Sequence, residues 1–163
     1  MIHIKDITNW EQAIGNVVCG DCLDLMKMIP DKAIDLVLTD PPYGINYLSH
    51  WTDNHDIIKN DKMADWLELL PNMLRQFNRI LTDTGCCCCC CGGGKTPVTA
   101  LFTIEAIKHF NLIQTLVWRK FIGLGWRYRP AYELGFYRQM AKDANIKNIN
   151  GLYKKLLNIR STN

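Results

Sequence analysis

The sequence predicts an α/β fold built on a doubly wound, mostly parallel sheet. Short apolar runs that stop at glycine- or proline-bearing turns alternate along the chain with segments of helical period. The run Ala-Ile-Asp-Leu-Val-Leu-Thr at residues 33–39 is nearly continuous in apolar character, as a parallel strand covered on both faces is. Two of the predicted strands run out at an acidic residue, Asp21 and Asp40. That places both carboxylates at the carboxyl edge of the sheet, where such folds bind ligands.

Taken in order, residues 15–22 read as a strand and its exit loop, stopped by Gly20-Asp21. Leu23, Met26 and Ile29 then keep the spacing of a short helix ahead of Pro30. Residues 33–39 are the second strand, and Asp40-Pro41-Pro42 ends it, because proline has no N–H to give a ladder. Residues 45–62 are polar, rich in Asn, Asp and His, and without a clean period, which predicts a long mobile loop of the kind that tends to serve function. Across residues 63–81, Leu67, Leu70, Leu74, Phe77 and Leu81 recur at helical spacing, and Asp83-Thr84-Gly85 closes that unit. Six consecutive cysteines at residues 86–91 follow. Neighbours on a strand point to opposite faces, so these thiols are poorly placed to join one another. Free cysteine packs as a small apolar side chain, and the run is a buried third strand. Residues 97–110 form another helix, with Leu101, Ile104, Ala106 and Ile107 on or near one face. Residues 113–118 and 132–137 are the last two strands. From residue 141 the chain is polar and only weakly helical at Leu152, Leu156 and Leu157. The division expected is a domain over residues 1–140 and a polar tail over 141–163.

Bulk properties narrow the classes. A chain of 163 residues with 48% apolar and 21% charged residues can bury a core and is not composed like a disordered one. Its net charge of +3 suits nucleic acid without arguing for it alone. No apolar run approaches the roughly 20 residues that span a bilayer, so no membrane role is expected. The first residues lack the layout of a signal peptide, which makes the cytoplasm the expected compartment. No metal is expected either, since structural sites space their ligands by two to four residues and spread them along the chain. Cys19-x-x-Cys22 has redox spacing, but it sits at a strand end around Gly-Asp and is set aside.

The stretch Asn16-Val-Val-Cys-Gly-Asp-Cys-Leu-Asp24, then Ile34-Asp-Leu-Val-Leu-Thr-Asp-Pro-Pro-Tyr-Gly-Ile45, resembles the amino-methyltransferases of DNA that use S-adenosylmethionine. Arg79-Ile-Leu-Thr-Asp-Thr-Gly85 and the segment from Trp118 to Glu133 extend the resemblance to about residues 15–135. It implies the catalytic half of a Rossmann-like methyltransferase fold, acting on duplex DNA and moving a methyl group to the 6-amino group of a flipped-out adenine in a restriction–modification or phage setting. It makes Asp40, Pro41, Pro42 and Tyr43 catalytic, and Asp21, Cys22 and Asp40 contacts of the cofactor. Asp21 also reads as the N-cap of the helix after it, and the two roles are compatible.

The chemistry accounts for these residue types. An exocyclic amino group is a poor nucleophile because its lone pair is delocalised into the ring. The Asp40 carboxylate and the Pro41 carbonyl can accept its two N–H groups and favour a tetrahedral nitrogen, and proline adds no competing donor. Tyr43 offers a face for the base, which must first leave the duplex. Stacking of a base on an aromatic ring is worth about 1–3 kcal/mol, comparable with unstacking it. In-line placement of the methyl donor is then the largest requirement. The plain alternative is a Pro-Pro turn that only stops a strand.

Arg119-Lys120-Phe121 and Trp126-Arg127-Tyr128-Arg129-Pro130 interleave cations with aromatics, as nucleic-acid surfaces do. The resemblance places Arg127 and Arg129 on phosphates and Trp126 or Tyr128 beside the base pocket; the alternative is a solvated connection with one buried Trp. Phe121-Ile-Gly123-Leu-Gly125 spells Phe-x-Gly-x-Gly, yet Pro130 leaves no room for the helix that a cofactor loop opens. Gly92-Gly-Gly-Lys95-Thr96 suggests a phosphate loop, but Cys89 stands where its first glycine belongs.

Members of the resembled family with an early aspartate motif continue into a target-recognition region and a glycine-rich cofactor strand, and neither follows Glu133 here. The expectation is a truncated product or one part of a split enzyme, with a second chain or dimer partner completing the cofactor site. Three other readings stand beside adenine methylation. One is a cytosine 4-amino methyltransferase, disfavoured by Asp rather than Ser at position 40. Another is an RNA or protein amino-group methyltransferase, and the last a non-catalytic DNA-binding remnant.

Overall fold

The structure is a computed structural model that describes residues 1–48, 58, 60–91, 98–121 and 131–139, excepting the side chains of residues 90, 91 and 136–139. The chain opens on strand β1 (Ile2–His3), which pairs in parallel with β2 (Val18–Cys19) to form a separate two-stranded sheet. Two short 3-10 turns lie between them, the second held by a reciprocal capping box of Asn9 and Gln12. Helix α1 (Cys22–Met28) follows, then β3 (Ile34–Thr39), α2 (Met63–Ile80), β4 (Leu81–Cys91), α3 (Val98–Ala106), β5 (Asn111–Arg119) and β6 (Tyr132–Gln139).

The main sheet has the order β3-β4-β6-β5. β3 and β4 are parallel, whereas β6 is antiparallel to both β4 and β5. Hence β3, β4 and β5 share one direction and β6 alone opposes them. This is the mostly parallel α/β sheet expected, with one reversed strand inserted. The right-handed β3–α2–β4 crossover expected of parallel neighbours needs a helix between them, and α2 supplies it.

The core lies between α2, α3 and the cysteine strand. Trp66, Leu70, Met73, Leu74, Phe77 and Ile80 of α2 are buried, with Cys87 and Cys89 of β4 and Val98, Phe102 and Ala106 of α3. Cysteines two apart share a face, and the Cys87 and Cys89 sulfurs lie 3.2 Å apart within the core. The cysteine run is therefore a strand, as its composition implies, with Cys87 and Cys89 buried and Cys86 and Cys88 half-buried.

Spacing alone misassigns two helix faces. Leu67 is 48% exposed, and Trp66 and Met73 occupy the α2 face instead. In α3, Ile104 is 57% exposed and Val98 and Phe102 are the inward residues, while Ile107, 56% exposed, lies just beyond the helix, which ends at Ala106. Both helices carry apolar residues beyond their packed stripe, so period alone leaves the face ambiguous by one position. The strand expected over residues 15–22 is only Val18–Cys19.

Arg79 ties the C-terminal end of α2 to that of α1. Its guanidinium donates to the carbonyls of Ile29 (2.8 Å) and Met26 (2.6 Å) and to Asp31 Oδ1 (2.6 Å). Both carbonyls lie at the C-terminal end of α1, where Met26 also accepts the Ile29 N–H at 3.1 Å. No helix among the described residues is long and apolar enough to cross a membrane. The expected tail at residues 141–163 lies outside the described residues.

Candidate active site

β3 ends at Thr39, and the next four residues are the Asp-Pro-Pro-Tyr turn. Asp40 is exposed, Pro41 is buried, and Pro42 and Tyr43 are half-buried, with Tyr43 packed against the core. The Tyr43 hydroxyl donates to Asp40 Oδ1, so the first and last residues of the motif meet. The acid stands in solvent at the carboxyl edge of the sheet while the prolines anchor its backbone. Gly44 follows in the left-handed region, at φ +70°, where a Cβ would lie 3.2 Å from the Cβ of Trp66 and 3.3 Å from the Met63 Cα. Only glycine turns the chain here without strain.

A residue that sequence reasoning missed holds this turn. Asp61 is 2% exposed, and its Oδ1 accepts the backbone N–H groups of Tyr43 and Gly44, both at 2.8 Å. Its Oδ2 accepts the Tyr47 N–H at 2.7 Å. The Asp61 carbonyl accepts from Asn46 at 2.5 Å, and Ile45 bridges Lys62. The segment read as one long irregular loop thus has both of its ends joined at the motif. Residues 49–57 and 59, between those ends, lie outside the described residues. Two prolines remove the donors of positions 41 and 42, so the first amides after Asp40 need an outside acceptor. That need is legible in the sequence; which residue meets it is not.

Asp21 sits at the exit of β2 and caps α1, accepting from the Leu23 N–H at 2.9 Å. β2 pairs with β1 rather than with β3, so Asp21 and Asp40 end strands of different sheets, and the shared edge expected for them is not formed by these pairings. Partial burial, and then the adjacent Asp21 charge, push the Cys22 thiol above its ordinary value. That is the reverse of an activated thiolate.

β5 runs in the direction of β3, so its last residue, Arg119, lies at the edge of the sheet that holds Asp40. There Lys120 pairs with Glu133, lies 5.0 Å from the centre of the Trp118 ring, and donates its backbone N–H to the Ala131 carbonyl at 2.6 Å. Trp126, Arg127, Tyr128 and Arg129, like Gly123 and Gly125, lie outside the described residues, but both of their flanks are fixed at that edge. The Gly92–Gly94 turn with Lys95 and Thr96 lies outside them as well. Among the described residues no group of three His, Cys, Asp or Glu side chains is placed to hold a metal ion.

For a nucleoside cofactor the described residues supply an incomplete set. The Asp21 carboxylate is engaged as a cap, and β3 is paired only with β4 among described strands, leaving Leu38 50% exposed.

A carboxylate and a Pro-Pro turn at the carboxyl end of a parallel strand, within a mixed sheet flanked by helices, define the class as a Rossmann-like α/β methyltransferase fold. A family model described as DNA methylase matches residues 34–162. The chain belongs to that family of N6- and N4-amino DNA methyltransferases, whose methyl donor is S-adenosylmethionine. DNA adenine methyltransferase YhdJ of Escherichia coli K12 is similar at 24% identity over 146 residues, 88% of this chain and 47% of its own length. The type II methyltransferase M.BglII of Bacillus subtilis is 30% identical over 77 residues, 46% of this chain and 19% of its own. The chain thus spans less than half the length of these curated relatives. Among solved structures, the cytosine-N4-specific PvuII DNA methyltransferase shares the fold with a TM-score of 0.62 at 17% identity, over 81% of this chain and 52% of that one. A Thermus thermophilus protein, TTHA0409, complexed with S-adenosyl-L-methionine, shares it with a TM-score of 0.53 at 19% identity, over 77% of this chain and 53% of that one.

Proposed function

We propose that this chain is the base-receiving half of a DNA methyltransferase that places a methyl group on the 6-amino group of a flipped-out adenine. One observation carries the reading: the exposed Asp40 carboxylate stands at the strand end, bonded to the Tyr43 hydroxyl and followed by the buried Pro41. Asp40 and the Pro41 carbonyl accept the two amino hydrogens of the base, holding the nitrogen lone pair toward the methyl group. Tyr43 gives the base a ring to stack on. The family admits both adenine and cytosine as the target. The aspartate at position 40, and the adenine specificity named for YhdJ at 88% coverage of this chain, favour adenine.

S-Adenosylmethionine supplies the electrophilic methyl group when bound. Asp21 and Cys22 line its adenosine end in this reading, and a further segment or a second chain completes the site. Trp126, Arg127, Tyr128 and Arg129 meet the DNA in this reading. Residues 1–140 form the methyltransferase unit and 141–163 an appended tail, and the protein works in the cytoplasm, where duplex DNA is accessible.

Two binding measurements test the reading. Competition between unmethylated duplex DNA and RNA should favour the duplex; preference for RNA would redirect the substrate. Calorimetric titration of the isolated chain with S-adenosylmethionine should give weak or no heat, and micromolar binding would refute the incomplete cofactor site.

A further inference from the structure

Resting on the methyltransferase reading of the turn, we propose that Asp61 is a positioning residue: its buried carboxylate fixes the backbone of residues 43–47 and thereby the place of Asp40 and Pro41. Asp61 is the one buried polar or charged residue among the described residues, at 2% exposure. A carboxylate is withdrawn from water only where hydrogen bonds replace its solvation. Here three backbone N–H groups do so, and all three belong to the turn or its continuation, 14 to 18 residues earlier in the chain.

The simpler role for an aspartate just before a helix is to cap it. The geometry speaks against that, because the N-cap of α2 is Lys62 and no side chain caps the helix. The Asp61 carboxylate faces backward to the turn instead of forward to the first amides of α2. Its hold begins at Tyr43, the first residue after Asp40 with an N–H to give. The clamp therefore acts as near to the reacting carboxylate as backbone hydrogen bonds allow. Two acceptors for one amino group must sit correctly at once, and small displacements cost rate steeply.

Asp61→Asn tests this on the chain as it stands. The amide keeps the shape but sets an NH2 either against the Tyr47 donor or against the Tyr43 and Gly44 donors together. Hydrogen exchange at Tyr47 or at Tyr43 and Gly44 should then accelerate by about tenfold or more. The amides of Leu70, Leu74 and Phe77 within α2 should keep their protection. Acceleration of all amides in step with a fall in melting temperature would reduce Asp61 to a structural residue, and no acceleration anywhere would remove the clamp.

A second readout ties the clamp to the site. Duplex DNA carrying 2-aminopurine at adenine positions should brighten on binding the wild-type chain, and less so with Asp61→Asn at an equal fraction bound. Local release of the amides with an unchanged signal would overturn the positioning role. If the wild-type chain itself gives no signal, the methyltransferase reading fails instead, and the exchange pattern alone decides on the clamp.

Discussion

The Tyr43 hydroxyl donates a hydrogen bond to the Asp40 carboxylate across the two prolines that separate them. The ring proposed to stack on the base therefore also orients the carboxylate proposed to accept from its amino group. Tyr43→Phe separates the two duties, since it keeps the ring and removes the donor. We expect thermal stability to stay within about 0.5 kcal/mol, as at other exposed hydrogen bonds, while methyl transfer falls by roughly tenfold through the loss of a charge-assisted bond. Parallel melts and initial-rate assays check this.

Gly44→Ala should destabilise the protein by about 1–3 kcal/mol, the cost of holding a non-glycine residue in a strained backbone region. The added Cβ also meets the Met63 backbone at 3.3 Å, which cannot move without shifting the start of α2. Chemical denaturation, read as a lower midpoint at constant slope, measures it.

Much of the fold was legible because its signals are local. The apolar run at β3, the prolines that stop it and the cysteine strand each state their role in a few residues. Asp40, Pro41 and Tyr43 stand out as candidates for the same reason: one contiguous motif carries them. Asp61 does not, because its partners are backbone amides 14 to 18 positions away and a polar loop composition hides a buried carboxylate. The reversed direction of β6 was hidden too, since apolar pattern gives strand existence but not strand sense. Leu67 and Ile104 misled because apolar residues outnumber the packed positions on α2 and α3.

Arg79→Lys should cost about 1–3 kcal/mol, because four acceptors (Gln76, Ile29, Asp31 and Met26) depend on one planar fork that an ammonium cannot reproduce. Asp31→Asn should cost less, since Asp31 is largely exposed and only one of the four bonds goes to it. A double-mutant cycle of the two, followed by thermal unfolding, separates the carbonyl contacts from the ion pair.

Thiol reactivity should sort the cysteines by position. Cys19 is exposed and should react in the native protein. Cys22 is exposed too, but desolvation and then the Asp21 charge raise its thiol pKa, so it should react more slowly at neutral pH and accelerate as the medium becomes alkaline, because the thiolate is the nucleophile. Cys87 and Cys89 should react only after denaturation. Mass-spectrometric mapping of alkylation against time reads all four.

Transfer of labelled methyl from S-adenosylmethionine to unmethylated duplex DNA, at high cofactor concentration and with the modified base identified, tests the central claim most directly. The account predicts slow labelling recovered as N6-methyladenine and none with Asp40→Ala. Label that persists in Asp40→Ala, or that is recovered as N4-methylcytosine, would contradict it.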